Sequence, residues 1–229
     1  MIEQIIKFAL IFAASGYLVV QFRKPSKWIG RLVASGMNRS HSSLTDWGLN
    51  HIAISIDATI LDVGCGGGAT VKKLAALAPN GKIRGVDYAS GSIAASRANN
   101  RQLIAQGRVT IEQATVSHLP FPNDQFDIVT AIETQYYWPD LPSDMREILR
   151  VLKPRGKLVI IAESYKGAYL DWLEGPLMRV LLRSSRLSPD DQRNLFETAG
   201  FTDVQVIAEH RKSWICAIGT KPSSLAAIP

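Results

Sequence analysis

The chain has 229 residues, 46% hydrophobic and 20% charged, which suits one α/β domain with some decoration and is short for two full domains. The net charge is +6, but Lys7, Arg23, Lys24, Lys27, Arg31 and Arg39 crowd the first 50 residues against only Glu3 and Asp46. The remainder is near neutral, which argues against an enzyme that grips nucleic acid through a basic stripe on its main domain. Two cysteines, Cys65 and Cys216, form no CxxC or Cys/His cluster; this speaks against a disulfide framework and against a metal site, and a reducing cytoplasm is the simplest compartment.

In chain order, the first feature is the apolar run Phe8–Val20, with Lys7 before it and Arg23, Lys24 and Lys27 after it. Residues 1–22 approach the ~20 apolar residues of a bilayer span, but Glu3, Gln4, Lys7 and Gln21 dilute the run. Three readings stand. One is a helix packed on its own domain or on a second subunit of a homodimer. Another is a membrane anchor, peripheral or spanning, with the basic residues at the lipid headgroups. The third is a cleaved export signal, although no clean small-x-small site precedes the basic cluster. Residues 1–55 are set apart as an N-terminal apolar helix and cap region. Within it, Met37–His41 and Asp46-Trp47 suit either part of a substrate cap or a solvated connector.

From residue 56 strand and helix signals alternate. Strands are predicted at Ala58–Val63, Lys82–Asp87, Val109–Ala114, Phe126–Ile132 and Lys157–Ala162. Helices are predicted at Ala69–Ala78, from Ser90 to about Ala105, and at Ser143–Leu152, the last stopped at Pro154. This alternation argues for a parallel sheet covered on both faces. Ser188-Pro189-Asp190-Asp191 opens a further helix that ends at Gly200. Thr202–Ala208 and Ser213–Gly219 then follow with too short a link for a crossover helix, so they should pair antiparallel. Residues 56–229 therefore form one domain. Ser164–Leu187 is inserted after the fifth strand. Its Leu170, Leu173, Leu177 and Leu181 have helical spacing, which fits an amphipathic helix on the core or a lid over a substrate.

The strongest local signal is Leu61-Asp62-Val63-Gly64-Cys65-Gly66-Gly67-Gly68. Glycines at 64, 66 and 68 permit a tight turn and close approach of a ligand, and the next helix presents free N–H groups to it. Asp87 ends the second strand about 20 residues on, where an acid accepts bonds from ribose hydroxyls. Both features also fit a dinucleotide site. Asp62, two residues before the first glycine, does not: an anion there suits a cationic ligand and repels a pyrophosphate, unless it merely caps the loop.

The D-x-G-x-G-x-G run resembles the first motif of class I S-adenosylmethionine-dependent methyltransferases, of the small-molecule type that acts in ubiquinone and menaquinone synthesis. Gly85-Val86-Asp87-Tyr88 resembles the second motif. Leu119–Val129 is similar to the family's LPF-x-x-x-x-FD-x-V stretch. Glu147–Leu158 is similar to its E-x-x-R-V-L-K-P-G-G signature, with Arg155 in place of the first glycine, and Ala199-Gly200-Phe201 matches its terminal A-G-F. The resemblance spans residues 56–220. It implies a Rossmann-like, doubly wound α/β fold with a seven-stranded sheet, mostly parallel, the last strand antiparallel. It also implies S-adenosyl-L-methionine as cofactor, with Asp62, Gly64, Gly66 and Gly68 near the methionine portion, Asp87 at the ribose, Tyr88 beside the adenine, and Ala114 and Thr115 at the adenine edge.

In the family, the segment after the fourth strand faces the reactive methyl. Here Tyr136, Tyr137 and Trp138 would wall the substrate pocket or fill the core. Glu133, then His41, are the candidate catalytic bases for an oxygen acceptor; a structural acid and a surface histidine are the alternatives. The apolar segments lean toward a hydrophobic or amphipathic small-molecule acceptor and no nucleic-acid partner. A cofactor-binding module without turnover, and an NAD-dependent oxidoreductase, are the competing readings.

Overall fold

Seven strands line up in the order β3-β2-β1-β4-β5-β7-β6. They are β1 (Thr59–Val63), β2 (Lys82–Asp87), β3 (Val109–Gln113), β4 (Phe126–Ile132), β5 (Leu152–Ala162), β6 (Thr202–Glu209) and β7 (Trp214–Thr220). The structure is a computed structural model that describes residues 42–168 and 186–223. His41, residues 1–22 and most of the 164–187 insertion therefore lie outside the described residues. The first five strands are parallel, and β7 runs antiparallel to both β5 and β6. This is the sheet expected from the sequence, with the reversed strand inserted between its neighbours.

Period-two alternation builds the two cores. Leu61, Val129, Leu158 and Ile160 enter one face with Phe126, Met145, Ile148 and Phe196. Ile60, Ile128, Val159 and Ile161 enter the other with Val71, Leu74 and Ile83. Among the described residues the α-helices are α1 (Ser42–Leu49), α2 (Ala69–Leu77), α3 (Ser90–Asn99), α4 (Arg101–Ala105), α5 (Leu141–Val151) and α6 (Pro189–Thr198). Among the described residues no helix is long and apolar enough to cross a membrane.

Local chemistry explains where the boundaries move. The helix predicted over 90–105 breaks at Asn100, whose side-chain amide donates to the carbonyls of Ser96 and Gly68, both at 2.9 Å. α5 starts earlier than its serine suggests, because Asp140 caps it by accepting from Ser143 N and Pro142 fits its first turn. β5 starts at Leu152 rather than Lys157, since Pro154 stops a helix but is tolerated where this strand begins. α6 has the full reciprocal cap between Ser188 and Asp191. Part of the cap region is already packed: α1 lies against β5 and β7, and Cys216 Sγ donates to the Gly48 carbonyl at 3.7 Å.

Two motifs of the resemblance turn out to be one clamp. Arg150, on α5, donates to the carbonyls of Phe121 and Leu119, to Asn123 Oδ1 and to both Glu147 oxygens. Glu147 also accepts from Leu119 N at 2.8 Å. Its carboxyl is held below its ordinary pKa, first by Arg150. The pair thus fastens the 119–123 loop to α5. Arg150→Ala should lower unfolding stability by about 2 kcal/mol, read by urea denaturation, with the carboxyl ends of β1 and β4 unaltered.

Candidate active site

Chain order reverses between β1 and β4: the strands after β1 step one way across the sheet and those from β4 step the other. A crevice opens at the carboxyl ends of such a pair. The glycine loop leaves β1 there. Gly64 and Cys65 donate to the Val86 carbonyl at 2.8 and 2.9 Å. Gly64 has φ 73°, and a Cβ there would lie 2.6 Å from Thr134 Oγ1, so the loop fits closely against the end of β4. Gly66 differs. At φ 51° it too favours glycine, but a Cβ would meet nothing nearer than the Gly64 carbonyl at 4.0 Å. The tight neighbour serves packing; the open one leaves backbone accessible to a ligand. Gly68 precedes α2, whose N-terminus has no side-chain cap.

Acids surround this loop. Asp62 is buried, and Thr130 Oγ1 donates to its Oδ1 at 2.7 Å across the β1–β4 pair. Burial, and to a lesser degree the nearby Asp87 charge, push its pKa up to about 7. Asp87 is also buried; it accepts from Gly66 N at 3.0 Å and from Ala89 N at 2.8 Å. Its pKa is raised, with burial outweighing those bonds. Tyr88 follows with an exposed ring, and Gln113 Nε2 donates to its carbonyl. Ala114 is half-buried and donates to the Asp87 carbonyl, while Thr115 is exposed and forms a bridge with His118. The seven residues from Asp62 to Ala114 that the resemblance assigns to a cofactor thus gather at adjoining strand ends, with Thr115 next in the chain.

Glu133 follows β4 with φ 57°, an uncommon conformation for a side-chain residue and one that clusters at functional sites. Burial pushes its pKa up to about 8. Its Oε1 accepts from Glu163 N and from the Tyr136 hydroxyl; no hydrogen bond reaches Oε2 among the described residues. The Tyr136 hydroxyl in turn accepts from Ser164 N at 3.1 Å, so this pair grips the start of the insertion. The three aromatics do not share one environment. Trp138 lies in the main core and donates to Thr134 Oγ1 at 3.0 Å. Tyr136 is buried in a smaller cluster with Tyr165 and Ile215, and half-buried Tyr137 meets it edge-on at 6.0 Å.

Sequence reasoning missed three participants: Thr130, Thr134 and Gln135. The first two follow only from the β1–β4 adjacency, which no local pattern encodes. Gln135 is buried and its Nε2 has no hydrogen-bond partner among the described residues, a pairing that buried donors rarely forgo. Among the described residues no lysine or arginine bonds Asp62, Asp87 or Glu133, and no His/Cys/Asp/Glu group is placed to hold a metal ion. Among the described residues, the crevice thus gathers buried carboxyl groups with no bonded cation beside them.

The model of the methyltransferase domain family matches residues 61–160. Methyltransferase GfsG of Streptomyces halstedii is 32% identical over 128 residues, covering 56% of this chain and 46% of the relative. Demethylmenaquinone methyltransferase of Symbiobacterium thermophilum is 35% identical over 106 residues, covering 46% and 42%. The chain spans just under half the length of these curated relatives. Human N-acetylserotonin methyltransferase shares the fold, with a TM-score of 0.72 at 19% identity over 86% of this chain and 57% of that one.

Asp62 and Glu133 leave a signature in stability. Each has a folded pKa above its ordinary value, so each stays protonated in the folded chain while the unfolded chain ionises. Stability should therefore fall as pH rises from about 4 to about 8. Asp62→Asn keeps an acceptor for Thr130 and removes the titration. It should flatten the lower part of that slope and raise stability at pH 8 by at least about 1 kcal/mol, measured by denaturant unfolding across the range.

Proposed function

We propose that the chain carries a domain of the class I S-adenosylmethionine-dependent methyltransferases, as its matches to the methyltransferase domain model and to curated methyltransferases support, and that the protein moves a methyl group from that cofactor to a small hydrophobic or amphipathic acceptor. The observation that carries this reading is the group of buried acids around the open Gly66 turn, with no bonded lysine or arginine among the described residues. A sulfonium and an ammonium would stabilise the ionised carboxylates that burial disfavours, whereas a pyrophosphate would disfavour them further. The groups present fit the cofactor: Asp62 with the glycine loop for the charged methionine end, Asp87 for the ribose, the exposed Tyr88 ring for the adenine, and Ala114 and Thr115 at its edge.

S-adenosylmethionine, when bound, supplies an electrophilic methyl carbon. The chain's own work is placement and proton removal. Tyr137 and Tyr136 offer aromatic surface beside the β4 end, and Trp138 backs them from the core. Gln135 holds a donor in the same turn that has no partner among the described residues, and it is suited to orient a polar atom of the acceptor. Glu133 is the base for an oxygen acceptor, its Oε1 fixed by Glu163 and Tyr136 and its Oε2 left to take the proton. His41 is the second candidate base.

An apolar acceptor dissolves in membranes. Accordingly we place residues 1–22 against a membrane surface, with packing on a second subunit as the rival arrangement. Two buried free cysteines support a cytoplasmic location.

Calorimetry with S-adenosylmethionine, S-adenosylhomocysteine and NAD tests the core reading; binding of NAD alone rejects it. Asp87→Ala should weaken cofactor binding at least about tenfold. Glu133→Gln should spare binding and lower turnover. As a base Glu133 must be ionised, so kcat/KM should rise through about pH 8 in the native chain and lose that limb in the variant. Equal loss of binding in both variants makes Glu133 structural. Removal of residues 1–22 should abolish sedimentation with phosphatidylcholine vesicles; unchanged sedimentation refutes the membrane placement.

A further inference from the structure

The opposite edge of the sheet holds a second cleft of about 420 Å³, at the amino ends of β1, β4 and β5. Thr59 and Gly64 bound β1, so this cleft lies roughly 16 Å from the glycine loop, at ~3.3 Å per strand residue. Lys153, Arg155 and Lys157 all line it. They lie on the irregular start of β5, where its register against β4 shifts between Phe126 and Ile128 and the extra residues bulge toward the cleft. Lys153 is already neutralised: its Nζ donates to Asp127 Oδ1 at 2.8 Å, and Asp127 Oδ2 accepts from Thr59 N at 2.8 Å. Arg155 and Lys157 have no acidic partner among the described residues.

Arg155 is also strained. Its φ is 66°, the left-handed region where glycine is at ease, and it stands where the family signature has glycine. The surrounding backbone enforces this conformation. Arg155 N donates to the Lys221 carbonyl at 2.9 Å, and Lys221 N donates to the Gly156 carbonyl at 2.8 Å. The buried Lys221 Nζ donates to Asp124 Oδ1 and to the Leu152 carbonyl. A rigid frame therefore aims a guanidinium at a position where glycine would fold more easily. Strain held by over-determined surroundings points to function.

We propose that this cleft binds a phosphate monoester through Arg155 and Lys157. At neutral pH such an ester carries close to two negative charges and three acceptor oxygens. The guanidinium fork and the lysine ammonium supply matching charge and donors. Asp57, bonded to the Ser55 hydroxyl on the same wall, suits a ligand whose body donates hydroxyl hydrogens. Two sources share this chemistry: a soluble phosphorylated polyol and a lipid headgroup such as phosphatidic acid. The site does not depend on the methyl-transfer reading, since it shares no residue with that crevice.

The experiment uses the full chain, Arg155→Gly and Lys157→Gln. Glycerol 3-phosphate is titrated by calorimetry with glycerol as control. Phosphatidylcholine vesicles with and without phosphatidic acid are tested by sedimentation. Arg155→Gly releases the strain, so its melting temperature should equal or exceed that of the native chain. Glycerol 3-phosphate should bind with a Kd of about 1 mM or tighter, and both variants should weaken it at least about tenfold while cofactor binding is unchanged. Arg155-dependent pelleting on phosphatidic acid without a glycerol 3-phosphate signal assigns the headgroup as source. If Arg155→Gly melts lower, Lys157→Gln decides alone. Absence of binding in both arms, or binding indifferent to the variants, overturns the proposal.

Discussion

The contact between β1 and β4 is the constraint from which the crevice follows. These two strands are neighbours in the sheet, yet 62 residues of chain separate the end of one from the start of the other. Their pairing sets Asp62 opposite Thr130, which supplies a hydroxyl to a carboxylate that burial would otherwise leave poorly satisfied. One step beyond, it presses the glycine loop onto Thr134, and only a residue without Cβ fits at 64. Asp87 then fastens the far side of the loop through Gly66 N. The loop is thus held by both neighbouring strands while its middle stays open.

That arrangement explains what was legible in the sequence. Buried strands announce themselves by short apolar runs, and β1, β2, β4 and the antiparallel pair stand close to where those runs lie. Asp62, the glycines and Asp87 were legible because their spacing is local. Thr130 and Thr134 were not, because their partners lie about 70 residues away and only tertiary pairing brings them together. Tyr136, Tyr137 and Trp138 look alike in sequence, but a 3₁₀ turn over Gln135–Tyr137 breaks the two-residue alternation and directs the rings to different clusters. The break at Asn100 is of the same kind: its amide serves the Gly68 carbonyl, a contact across two helices.

The acids of the two regions behave differently, and the difference separates fastening from chemistry. Glu147 lies beside Arg150 and is pulled below its ordinary pKa, which marks an interaction completed within the fold. Asp62, Asp87 and Glu133 are all shifted upward by burial and lack a cationic partner among the described residues. Such groups lower the stability of the folded chain. A fold retains them where something outside the chain completes the charge balance, and perturbed acids gathered in one crevice follow that rule. The strained backbone of Glu133 at the same edge belongs to the same pattern.

Polarity across the sheet gives this asymmetry a common origin. In a parallel α/β domain the helices start near the carboxyl edge of the sheet and end near the amino edge, so the partial charges of their termini favour anions at one edge and cations at the other. The unpaired acids stand at the carboxyl edge, two of them just before the starts of α2 and α3. The unpaired cations Arg155 and Lys157 stand at the amino edge, just after the end of α5. β5 joins the two, beginning among the cations and ending at Ala162, next to the Glu163 amide that holds Glu133. Helix termini act over one turn and are too weak to choose a ligand. They do make each edge tolerant of one sign of charge. Specific placement then comes from the backbone, through the open turn at Gly66 on one side and the enforced left-handed turn at Arg155 on the other.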